Sequence, residues 1–112
     1  MHERIIESLN HIPYGVETPW GGIAWPTKSI PYILDAALQN GWIILGGDAL
    51  TLECKHTYDN WYYNPDPYKS LEHNVKHSIA MCSQYTSQYI TRNGDRFLFT
   101  VVISDAYVEG MG

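Results

Sequence analysis

The stretch Trp42-Ile43-Ile44-Leu45-Gly46-Gly47-Asp48 constrains the fold of this chain more than any other. Large apolar residues in unbroken succession, with no charge among them, suit a strand buried on both faces. The glycine pair that follows predicts the sharp exit of that strand. A residue without Cβ takes positive φ freely and lets a second backbone come close. A second strand over 49–53 after a bend, or a continuation past a bulge, would both satisfy the weak alternation of Ala49–Glu53. Asp48 is then the first acid delivered at the exit from the core. It stands there either as a carboxylate placed for chemistry or as a tie between the bend and its neighbour.

Helical patterns bracket this stretch. Ile5, Ile6 and Leu9 share a face over residues 3–10 and predict a short N-terminal helix. A loop punctuated by proline and glycine follows to Thr27, and Trp20 and Trp25 inside it are expected to pin it to the domain. Ile30, Ile33, Leu34, Ala37 and Leu38 predict a helix over 29–40, capped by Thr27 or Ser29 and closed by Gly41. Leu71, Val75, Ile79, Cys82, Tyr85 and Tyr89 recur at helical spacing, the strongest periodic signal in the chain. That helix is expected to start at Asp66-Pro67 and to run to about residue 90. Strands are expected over 57–63 and, unbroken, over 97–103. The order predicts one α+β domain over 1–112: a small, mostly antiparallel sheet of about three to four strands, with two main helices packed on it and a short N-terminal helix.

Composition narrows the function. The chain of 112 residues carries a net charge of −5, and no Lys or Arg falls between Pro31 and Leu52 or after Phe97. Nucleic-acid binding rests on Lys and Arg neutralising phosphates, so this balance disfavours it and favours a basic protein partner. The nine tyrosines and four tryptophans suit cores and interfaces alike. Cys54 and Cys82 lack metal or redox spacing and read as buried thiols of a cytoplasmic protein. No run reaches membrane-spanning length and no secretory leader is visible.

Candidate chemistry is sparse. His73 and His77 lie one helical turn apart, opposite the apolar stripe, with no third ligand in sight, so no metal is expected. Cys82 sits inside the stripe, where a thiolate is disfavoured. Carboxylates remain: Asp48 with Asp59 or Asp105, and Glu53, could meet at strand ends as an acid/base pair, or merely cap turns. Tyr58-Asp59-Asn60-Trp61-Tyr62-Tyr63 alternates on a strand, with Tyr58, Asn60 and Tyr62 on one side and Asp59, Trp61 and Tyr63 on the other. Trp61 is expected to anchor the core side.

Several short motifs then occur in a telling order. Trp25-Pro26-Thr27-Lys28-Ser29 leads into a helix, and Ile44-Leu45-Gly46-Gly47-Asp48 follows it. Thr57-Tyr58-Asp59-Asn60-Trp61-Tyr62 precedes a long helix containing Lys76-His77-Ser78-Ile79, and an apolar strand closes the domain. In this order and spacing, across about residues 25–103, the chain resembles the bacterial immunity protein 40 family of polymorphic toxin systems, including contact-dependent growth inhibition. His77 departs from the more basic turn expected there.

The resemblance implies a non-enzymatic inhibitor that binds the C-terminal domain of a cognate toxin, with no cofactor. An acidic, tyrosine-rich surface would suit the basic cleft of a nuclease toxin. On this view Gly46, Gly47, Asp48, Tyr58, Asp59, Asn60 and Trp61 are shared scaffold. Toxin contacts are then expected on Glu53, Tyr62, Tyr63, Asp66, Asp105 and Glu109. Two other readings of the residues stay open: a small hydrolase using Asp48 with Asp59 or Asp105, and an adaptor domain with a peptide site beside Trp20 and Trp25.

Overall fold

The apolar run does become the central strand, but the glycine pair does not end it. In the computed structural model, which describes residues 1–105, strand β3 runs from Trp42 to Thr51, straight through Gly46 and Gly47. The glycines serve close approach instead. A Cβ on Gly46 would collide with the Trp61 carbonyl, and one on Gly47 with the Thr100 carbonyl. Irregularity is absorbed by shifts of register, between Ile44 and Gly46 on one side of the strand and between Asp48 and Leu50 on the other. Such bulges bend a strand and re-aim its side chains.

The elements run in the order α1 (Glu3–Asn10), β1 (Val16–Glu17), β2 (Ile23–Ala24), α2 (Ile30–Asn40), β3 (Trp42–Thr51), β4 (His56–Tyr62), α3 (Leu71–Asn93), β5 (Phe97–Phe99) and β6 (Val102–Asp105). β3 pairs antiparallel with β4 along one edge and with β5 and β6 along the other. β1 and β2 form a separate antiparallel hairpin. The architecture is α+β, as the order of patterns predicts. The single closing strand expected over 97–103 is split at Thr100-Val101. There Thr100 turns its hydroxyl to the Asp48 N–H (2.9 Å) and lays its carbonyl against Gly47.

Helix α2 carries Pro31 in its first turn and ends at Gly41 in the left-handed conformation, φ 69°. Neither expected cap bonds the helix: Ser29 Oγ donates to the Pro13 carbonyl (2.7 Å) and Thr27 Oγ1 to Asp95 (2.9 Å). Both hydroxyls are drawn off by long-range partners. Leu38, expected in the core, is exposed. α3 starts later and ends later than the pattern suggests. Its N-cap is Ser70, whose Oγ accepts from the His73 N–H (3.0 Å), while the Asp66 carboxylate caps a turn at the Tyr68 N–H (2.9 Å).

The main core gathers Ile5 and Leu9 of α1, Ile33 and Ala37 of α2, Trp42, Ile44 and Ala49 of β3, Cys82 of α3, and Phe99 and Ile103. A second cluster joins Ile43, Tyr63 and Val75. A third, of Ala24, Leu50, Cys54 and Leu98, lies under the β1–β2 hairpin. Both cysteines are free and buried. No helix among the described residues is long and apolar enough to cross a membrane.

Candidate partner interface

Alternation along β4 separates an inner row from an outer one. On the inner side, the Asp59 carboxylate accepts from the Tyr89 hydroxyl of α3 (2.8 Å), and the Trp61 ring lies 6.0 Å from that of Tyr85. Tyr63, just past the strand, was expected at the toxin surface. It is buried instead, with its hydroxyl donating to Asn74 Oδ1 at 2.6 Å. The reason is parity: Tyr63 falls in the same row as Trp61 and follows it toward α3.

Asn74 is the hub of that side. Its Oδ1 also accepts from the Asp66 N–H (2.8 Å), and its Nδ2 donates to the carbonyls of Asp66 (3.0 Å) and Ser70 (3.2 Å). One turn on, the Ser78 hydroxyl receives the N–H of Ile44 (3.0 Å). It closes β3 where β4, whose register reaches only to Gly46, no longer runs alongside. The Tyr85 hydroxyl is buried with no hydrogen-bond partner among the described residues. Burial first, then the nearby Asp59, Tyr89 and Asp48, push its pKa up to about 12. Burial also raises Tyr63 and Tyr89 above the ordinary tyrosine value.

The outer row is open. Tyr58 is 89% and Tyr62 71% exposed, and Asn60 lies between them. Tyr58 stands on the β4 bulge with φ 67°, a left-handed conformation that costs a non-glycine residue about 1–2 kcal/mol. The hairpin covers only one end of this face, where Trp20 stacks on His56 at 5.1 Å. Trp25 is buried and bridges to Phe99, so it pins the loop as expected; Trp20 remains half exposed. Beyond the stack, Tyr58 and Tyr62 stand exposed on the face. Gly46 and Gly47 floor an open depression of about 480 Å³, bordered by Asp48, Asn60, Tyr62 and Val102.

Asp48 therefore faces outward. The tie between β3 and the strand beyond it is made mainly by its backbone, whose N–H meets Thr100 Oγ1 and whose carbonyl accepts from the Thr100 N–H (3.0 Å). The carboxylate's one hydrogen-bond partner among the described residues is the Thr100 hydroxyl, at 3.4 Å.

The other expected contacts are dispersed. Glu53 is exposed in the β3–β4 turn, and Asp66 is half-buried beyond the opposite end of β4. The backbone of Asp105 pairs with Trp42, six residues from Asp48 along β3, or roughly 20 Å. Glu109 lies outside the described residues. Asp48 and Asp59 point to opposite faces and line different depressions. Asp48 and Asp59 therefore assemble no acid/base pair with each other. His73 and His77 are exposed with rings 5.3 Å apart, and His77 meets the Tyr63 ring edge-on. No cluster of three potential metal ligands occurs among the described residues. The cavity that Trp25 lines measures about 180 Å³, and a larger open depression of about 520 Å³ lies over Tyr14, Gly15 and Ile23 nearby; Trp20 lines neither.

Pattern reading missed Asn74, Ser78 and Thr100. The first two carried a usable signal: polar residues at 74, 78 and 86 lie next to the apolar stripe and are buried. Compared with known proteins, residues 8–103 match the family described as immunity protein 40. No curated protein and no solved structure matches the chain.

Proposed function

The chain belongs to the immunity protein 40 family, and on that premise we propose that it binds one cognate toxin domain and blocks it, with no catalysis of its own. The match over 8–103, which takes in the sheet and both main helices, is the observation that carries this reading. The chemistry of the surface supports it. A net charge of −5 and exposed tyrosines suit a basic target, such as the substrate cleft of a nuclease. The toxin is the variable C-terminal domain of a large secreted protein in a contact-dependent or related polymorphic system. The immunity protein meets it in the cytoplasm of the cell it protects.

Geometry gives little support to a hydrolase, because Asp48 and Asp59 face apart and the Asp105 backbone lies six residues, roughly 20 Å, from Asp48 along β3. Neither depression near Trp25 is lined by Trp20, so neither joins the two tryptophans as the peptide-binding adaptor reading expects. The decisive experiment starts from the neighbouring upstream reading frame. Its C-terminal domain should arrest growth when expressed alone, be tolerated when this protein is co-expressed, and co-elute with it as one complex. Separate elution and unrelieved arrest would refute the proposal.

A further inference from the structure

The four strands of the main sheet contain three acids, Asp48, Asp59 and Asp105, and no Lys or Arg. All seven cationic side chains sit on helices, turns and loops. On the outer face, the hairpin shields the end around Leu50 and leaves the other end open. That open end is a depression floored by Gly46 and Gly47, with Tyr62 and Val102 exposed beside it. Among the described residues, Asp48 is the one charged residue that lines it, and it belongs to no ion pair there. An exposed aromatic, an exposed aliphatic and an uncompensated carboxylate around a concave floor form an anchor pocket for one long cationic side chain.

We propose that this depression is the docking point for the toxin, and that it receives a Lys or Arg side chain from a protruding segment of the toxin domain. The stem of that side chain lies along Val102 and the Tyr62 ring, and its head reaches Asp48. The Tyr62 face adds a cation–π attraction. The depression on the other face, which Asp59 lines, also carries Arg92, whereas no cation lines this one among the described residues, so the charge match favours this face. The two glycines matter here a second time: any side chain at Gly46 would fill the floor as well as strike the Trp61 carbonyl.

This inference rests on the immunity reading, and its test separates the two. The probe is the purified toxin domain from the upstream frame, titrated calorimetrically into wild-type protein and three variants. Asp48→Lys and Tyr62→Ala should each weaken binding by at least about tenfold. Asp35→Lys, an exposed change on α2, should leave affinity unaltered. No binding by wild type would remove the immunity reading, and this surface with it. Wild-type binding matched by Asp48→Lys and Tyr62→Ala would overturn the surface alone. Hydroxyl-radical footprinting of the wild-type complex gives an answer that does not depend on how the variants fold. Tyr62 should become protected on binding, and a Tyr62 that stays fully reactive would overturn the proposal.

Discussion

Asn74 illustrates how one side chain can hold three segments at once. It is 1% exposed, and its amide joins Tyr63, the Asp66 backbone and the first turn of α3. Asn74→Leu would strand the Tyr63 hydroxyl and the backbone groups of Asp66. A loss of roughly 2–4 kcal/mol is expected, measured as a lowered urea midpoint. Gly47→Ala should cost about 1–3 kcal/mol by the same measurement, because the methyl group meets the Thr100 carbonyl. A midpoint equal to wild type in Gly47→Ala would mean that β5 and β6 can shift away freely. The importance of both glycines was legible from their pairing after an apolar run, and close approach was one of the two reasons that pairing offered. Close approach and strand exit leave the same mark in a sequence, and only the partner carbonyls tell them apart. Tyr63 fails as a surface residue for a simple reason: the alternation that turns Trp61 toward α3 also turns the next residue in its row, and Tyr63 is buried there.

At the scale of elements, α3 is anchored by polar groups as much as by its apolar stripe. Ser70 caps its start, and Ser78 supplies the acceptor that the Ile44 N–H would otherwise lack. Ser78→Ala should therefore destabilise by about 1–3 kcal/mol, since it leaves a buried donor unpaired. Ser70→Ala should cost about 1 kcal/mol. Thermal melts of the two variants would rank them, and the reverse order would contradict the edge-closing role of Ser78. The helices and strands were readable from periodicity, with errors of a few residues at their ends. At the helix starts those errors share a cause: Asp66, Thr27 and Ser29 are all acceptable caps, but distant partners take the two hydroxyls and a local turn at Tyr68 takes the carboxylate. The split of the last strand was unreadable, because Phe97–Ile103 is uniformly β-forming and the break depends on Thr100 finding Asp48 across the sheet.

For the whole molecule, alkaline pH is the lever that burial sets. Cys82, pushed up to about 12 by burial, and Tyr85, also up to about 12, hold their protons longer folded than at the unfolded values of 9.0 and 10.0. A raised folded pKa means that the native state binds more protons in that window. Stability is then whole below about pH 9 and falls as pH rises toward 12. Urea midpoints across that range should decline, and Tyr85→Phe should flatten the decline. An equal slope in the variant would remove Tyr85 from the account. The sheet's lack of cations has another consequence, for crowding rather than for recognition. The outer edge of β4 pairs with no strand among the described residues, and a free edge invites a second copy to add itself. Two copies meeting there would bring their acids together with no Lys or Arg on the strands to neutralise them. The same charge that draws a basic guest thus keeps the protein from recruiting itself. Asp48→Asn combined with Asp59→Asn should increase light scattering in concentrated solution. Unchanged scattering would show that the Tyr58 bulge alone is enough to keep the edge solitary.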